Sequence, residues 1–228
     1  MKKLLLIALS AMLAVPAFAD SDDDNVVASS SSGAVQLKVV DHIGYGYHLV
    51  KSDAYSPSGS GEFFVNLLKL GLYPAKSFGI ELGVDADFNF FRSKTSVFHL
   101  DNDKKVQAMD FNKLVTGTID KSRGGFNTTS ITFPLLFKGM FGDFKIGVGA
   151  QGSLNLDVDA FYKYKQDNRF WRVEERNGKL NLFSYGFLAT VSFSEATFFF
   201  KYFPKSSHML APGSVDYNYM TVGISFGL

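Results

Sequence analysis

The sequence predicts an all-β fold, an eight-stranded antiparallel up-and-down transmembrane β-barrel with short periplasmic turns and long extracellular loops. Three observations predict it. Apolar residues alternate with polar or small ones from position 35 to the end of the chain, giving about eight period-two runs. The connections between those runs are alternately short and long. The two ends of the chain fit an exported barrel.

At the N-terminus, Lys2 and Lys3 precede an apolar core from Leu4 to Val15 and the small-x-small site Ala17-Phe18-Ala19. Residues 1–19 therefore read as a secretory signal peptide, too short to anchor the chain. Residues 20–34, acidic and then serine-rich, read as a disordered periplasmic leader. The barrel is expected over 35–228. The chain has 0 Cys, which excludes both disulfides and a lipoprotein anchor. Its net charge of +1 argues against a general polyanion binder. A usage of 24 Phe, 10 Tyr and 21 Gly suits interfacial aromatic girdles and a crowded interior.

The first run spans roughly Val35 to Val50, where Ile43, Tyr45, Tyr47 and Leu49 alternate with His42, Gly44, Gly46 and His48. The second covers Glu62 to Tyr73. In the third, Phe78 to Phe91, the row from Phe78 to Phe90 opposes Gly79, Glu81, Gly83, Asp85, Asp87 and Asn89. The fourth is Thr129 to Lys138 and the fifth Phe144 to Phe161. The sixth, seventh and eighth are Leu182 to Phe193, Thr197 to Phe203 and Tyr217 to Leu228. Short turns lie at 74–77, 139–143 and 194–196, and long loops at 51–61, 92–128, 162–179 and 204–216. Asn177-Gly178 is a hairpin signal. An extra barrel hairpin would spoil the even strand count, so the pair is assigned to an excursion within the third long loop.

Alternation alone leaves open which face is outside. Glycines and charges share one face, which suits a narrow lumen, and aromatics bracket the other, which suits lipid. Lys69, Glu81, Asp85, Lys138 and Lys145 are then luminal, and their opposite charges predict an ion-paired plug without a continuous pore. Phe63, Val65, Leu67, Leu136 and Phe91 would add inward apolar surface. Asp41 shares the lipid-facing parity. A position at the periplasmic interface is preferred over a bulge near Val40 that would turn it inward.

The pattern of Thr221, Gly223, Phe226 and Leu228 resembles the C-terminal signal that the barrel-assembly machinery reads in bacterial outer-membrane barrels. Residues 35–228 resemble the small barrels of the OmpA/OmpX-like group and the PorT-like group, with Leu228 departing from the commoner Phe. The resemblance implies an outer-membrane location with both termini periplasmic. It also implies a monomer with an adhesion, resistance or structural role, and few enzymes.

In the third long loop, Lys163, Arg169, Trp171 and Arg172 interleave with aromatics beside the membrane, a chemistry suited to lipopolysaccharide phosphates and sugars. The sequence thus predicts a structural or surface-interaction role toward lipopolysaccharide or an extracellular or envelope protein, with no nucleic acid, cofactor or metal. One alternative is a barrel enzyme acting on lipid A or surface peptides, using His48 or Ser206-Ser207-His208. Another is a channel for small apolar molecules, which the charged lumen disfavours. Gly147 to Gly152 fits a dinucleotide-binding pattern but lies inside a strand, where small luminal residues explain it.

Overall fold

The computed structural model describes residues 26–30, 33–39, 41–114 and 121–227. The predicted signal peptide, positions 20–25 and Leu228 lie outside the described residues. The strands are β1 (Val26–Ser30), β2 (Gly33–Val39), β3 (His42–Lys51), β4 (Gly61–Ala75), β5 (Phe78–Ser93), β6 (Ser96–Leu100) and β7 (Val106–Asp110). A helical turn α1 (Phe111–Leu114) precedes β8 (Lys121–Phe141), β9 (Phe144–Gln166), β10 (Arg169–Glu175), β11 (Phe183–Phe193), β12 (Ala196–Phe203) and β13 (Asn218–Gly227).

Eight strands close a ring. In order they are β3, β4, β5, β8, β9, β11, β12 and β13, each antiparallel to the next, and β13 returns to β3. Each of the eight predicted runs has its counterpart, and the up-and-down barrel is present. Its polarity is that of a membrane barrel. Leu82, Phe88, Phe137, Ile146, Phe198 and Val222 are exposed, and Val148 is 59% exposed, while Glu81, Asp87, Thr132, Ser153 and Lys201 are buried. In hydrocarbon such an exterior is favourable, and a closed ladder leaves no unpaired edge within it.

Two irregularities on neighbouring strands reset the faces. Asn66 pairs with Asp85 but Leu68 pairs with Val84, so Leu67 is an extra residue on β4. A one-residue offset exchanges the inward and outward sets. Below it Lys69, Gly71 and Tyr73 face inward; above it Glu62, Phe64 and Asn66 do. Phe63 and Val65, predicted inward, therefore face lipid. Ile43 pairs with Val65 and Val39 with Leu68, so the β2–β3 strand also carries one residue more than its partner between positions 39 and 43. That bulge turns Asp41 into the barrel, where it is 6% exposed; the interfacial placement preferred from the sequence is corrected.

β2 continues the first barrel strand past the end of β13, whose pairing stops at Gly227 opposite His42. The edge left free is covered by β1, paired from Val26–Leu37 to Ser30–Gly33. The predicted disordered leader therefore departs from the structure at 26–30 and 33–34, where an otherwise bare edge recruits the chain before it.

On the opposite side, β8 and β9 run for 21 and 23 residues, about twice what a tilted membrane strand needs. Their excess, with β10, forms a three-stranded sheet standing outside the lipid band. Positive φ at Asp167 (48°) and Asn168 (59°) makes the two-residue turn into β10. Asn177, also at positive φ, and Gly178 end the excursion, with Gly178 N–H donating to Val158 O at 2.9 Å.

Candidate functional site

The lumen is filled at three levels. In the middle, Lys201 Nζ lies 2.6 Å from Glu62 Oε1, with both side chains almost wholly buried. The ammonium also lies over the Phe64 and Phe199 rings at 4.5 and 5.2 Å. The Thr132 hydroxyl donates to Asp87 Oδ2 and contacts Ser153 Oγ at 2.9 Å. Among the described residues Asp87 Oδ1 and Gln151 Nε2 are buried without a hydrogen-bond partner.

Toward the short-turn end, Lys138 meets Glu81 at 2.7 Å, and Tyr73 Oη donates to the other oxygen of the same carboxylate at 2.7 Å. Lys69 lies diagonal to Glu81 in the ladder but takes Asp41 as its ion-pair partner, as does Lys38, and His42 Nδ1 contacts the same carboxylate. Asp85 accepts from Asn66 Nδ2 and has no lysine contact among the described residues. Lys145, predicted in this network, is exposed at the rim, because its strand has passed the end of the enclosed lumen. A cavity of ~90 Å³ separates these groups from Phe64, Leu136, Leu188 and Phe199, which form a small apolar belt.

At the outer end the plug is aromatic. Phe91 stacks on Phe126 at 4.6 Å and meets Tyr217 and Tyr219 edge-on. Met209, Leu210 and Val215 from the 204–217 connection close over them, with Phe98 and Val106 from the β6–β7 hairpin. His48 lies beneath this cap, 2% exposed, stacked on Phe91 at 5.0 Å, with Nδ1 2.9 Å from Thr221 Oγ1.

Outside the barrel the sheet register sorts the basic residues by face. Arg123 pairs with Lys163, and Lys163 with Arg172, so these three share the outward face. In the next row toward the membrane, Gly125 pairs with Phe161 and Phe161 with Glu174. Arg92 reaches over Gly125, its guanidinium 4.7 Å from the Phe161 ring, and Arg92 Nη2 donates to Asn127 at 2.6 Å. The four residues predicted from the loop are thus divided. Lys163 and Arg172 lie here, whereas Arg169 and Trp171 fall on the reverse face, where Trp171 stacks with Tyr164 at 6.3 Å. Arg92 and Arg123 were missed because they lie far away in sequence and only the β5–β8–β9 register brings them to Lys163.

The remaining titratable cluster lies in the 204–217 connection. Lys205 contacts Asp216 at 2.8 Å, and His208 Nε2 lies 3.6 Å from Asp216. The Lys205 hydrogen bond holds the Asp216 carboxyl below its ordinary value, and burial lowers the His208 imidazole. Ser206 Oγ contacts Tyr185 Oη at 2.8 Å, and Ser207 Oγ accepts from the Tyr185 N–H, so both hydroxyls are engaged away from the imidazole. Among the described residues no cluster of three or more His, Cys, Asp or Glu is arranged to hold a metal ion.

In the terminal strand, Thr221 is buried, Gly223 pairs with Gly46 and Phe226 is exposed to lipid. No protein-family model matches the chain, and no curated protein sequence does. Among solved structures the chain is similar to Ail, the attachment invasion locus protein of Yersinia pestis, in complex with the heparin analogue sucrose octasulfate. The likeness is 13% in sequence with a TM-score of 0.37, over 86% of this chain and 99% of that one.

Proposed function

We propose that this protein is a monomeric outer-membrane barrel that does not conduct. Its work is contact at the cell surface, with lipopolysaccharide or with an envelope or extracellular protein. The observation that carries the reading is the contrast between lumen and exterior. The lumen is occupied by an aromatic cap, the Glu62–Lys201 contact and the Glu81–Lys138 pair, while a sheet outside the lipid band presents basic residues on its outward face and packs its reverse face against Phe111. Strand ends and loops beyond the scaffold are where recognition is usually placed. The terminal residues Thr221, Gly223 and Phe226 support delivery by the barrel-assembly machinery.

An enzyme has less support, since His48 is walled in and the serines beside His208 are committed to Tyr185. A channel for apolar molecules has less support as well, because Lys201 and Glu62 lie across its path. The test has two arms. Planar-bilayer recording is expected to give no steady conductance from the wild type. A photocrosslinker at Phe170 is expected to yield envelope adducts in intact cells. Steady current together with an adduct-free sheet would refute the reading.

A further inference from the structure

We propose that the outward face of the β8–β9–β10 sheet binds phosphate groups on the headgroup of a lipopolysaccharide planted in the same leaflet, through Arg92, Arg123, Lys163 and Arg172. The inference rests on the surface-contact reading and names its partner.

The register supplies the first reason. Arg123 stands directly opposite Lys163, and Lys163 directly opposite Arg172; one row further out Lys121 stands opposite Lys165. Like charges facing each other across a ladder destabilise a sheet, so these rows carry a standing repulsion that a bound anion would relieve. The carboxylate lining this groove, Glu174, is already engaged with Arg172 and Arg176. Arg123 and Lys163 have no carboxylate partner among the described residues. With a net charge of only +1 for the whole chain, this concentration of cations is local.

The second reason is preorganisation. A Cβ at position 125 would lie 2.2 Å from Phe91 O and 3.0 Å from Arg92 Nη1, so Gly125 leaves the space the guanidinium occupies. Arg92 Nη1 donates to Phe91 O and Phe126 O, and Nη2 to Asn127. These bonds fix the fork while leaving Nε and one Nη2 hydrogen for an anion. Such charge-assisted bonds to phosphate are among the stronger polar contacts.

The third reason is position, which favours an anion carried by a lipid over one free in solution. Arg92 follows Phe90, the last lipid-facing residue of β5, whose ring lies 5.4 Å from the guanidinium. A headgroup whose acyl chains run along the apolar rows below would bring its phosphates to this height.

The test uses the full chain folded in phospholipid nanodiscs and titrated with lipopolysaccharide, with the same material stripped of phosphate, and with a soluble sulfated oligosaccharide. Arg123→Ala/Lys163→Ala is expected to weaken binding of the phosphorylated form by about tenfold or more. Arg169→Ala, on the reverse face, is expected to leave it unchanged. Should the double variant fold poorly, Lys163→Gln keeps the side-chain stem and is expected to weaken binding in the same direction. Three results would overturn the site: equal affinity for the stripped form, an unaffected folded variant, or a soluble oligosaccharide bound as tightly as lipopolysaccharide. None of them would touch the surface-contact reading, whose failure shows separately as steady conductance with no crosslinks.

Discussion

Lys201 and Glu62 meet across the middle of the lumen from β12 and β4, strands that are not neighbours in the ring. The contact therefore ties the barrel wall together across its interior, where Asp85 and Asp87 are also buried.

Lys201→Met should leave these carboxylates without their cation, at a cost of about 3–5 kcal/mol. Glu62→Leu combined with Lys201→Met should recover much of the loss, since the removed charges also shed their desolvation. Urea midpoints of the refolded barrel, followed by heat-modifiable gel migration, check both. A single variant as stable as the wild type would mean the tie is idle.

Deleting Leu67 removes the bulge on β4. The register rule then forces either Glu62, Phe64 and Asn66 or Lys69, Gly71 and Tyr73 to face lipid. An ionised group moved to the lipid face costs up to about 2–4 kcal/mol for Lys and less for Glu, and its buried partner is left unpaired as well, so the deletion is expected to abolish folding into vesicles. Leu67→Ala keeps the residue count and should fold. Equal folding yields for the two would contradict the bulge.

Gly223 has two candidate roles, packing and assembly signal, and they separate experimentally. A Cβ there would lie 2.3 Å from the Phe199 ring and 2.4 Å from Tyr45 O. Gly223→Ala should therefore destabilise the barrel by about 1–3 kcal/mol even when it refolds in detergent without cellular factors. Phe226 touches lipid, so Phe226→Ala should lower outer-membrane yield in cells more than stability in detergent.

His208 makes the outer connection pH-sensitive. Burial lowers its folded value, so the unfolded segment binds the proton more readily. Stability then rises with pH and is lost as pH falls through the ordinary imidazole value of about 6.5 toward the lower folded one. Amide exchange at 206–216, corrected for its intrinsic pH dependence, should quicken between about pH 7 and about pH 5. His208→Gln should remove the effect; an unchanged profile would assign it to another group.

The barrel was legible because each spanning strand repeats one simple rule: lipid on one side, a narrow polar lumen on the other. β5 shows it best, with an apolar residue at every second position from Phe78 to Phe90. The bulge at Leu67 was not legible, since Phe63-Phe64-Val65 is apolar at both parities and hides the change of face. For the same reason Glu62 escaped notice as the partner of Lys201. Lys201 did leave a signal, a lone charge at the inward parity of an aromatic strand. The outer part of β8 before Thr129 and the end of β9 beyond Phe161 were hidden for a different cause. Outside the bilayer both faces can be wetted or covered by loops, so residues 121–128 carry no apolar rhythm even though they are paired throughout. The division of the loop residues between two faces required knowing where the Asp167–Asn168 turn falls.

β8 and β9 each continue as one strand from the Gly142–Asp143 turn to the far tip of the outer sheet, and they stay paired on both sides of a single bulge at Leu156, opposite Thr129 and Ser130. The elevation of that sheet over the bilayer is set by covalent geometry, in the manner of a ruler. Molecules whose reactive groups project to that height would be met without any rearrangement, while taller or shorter neighbours would be passed over.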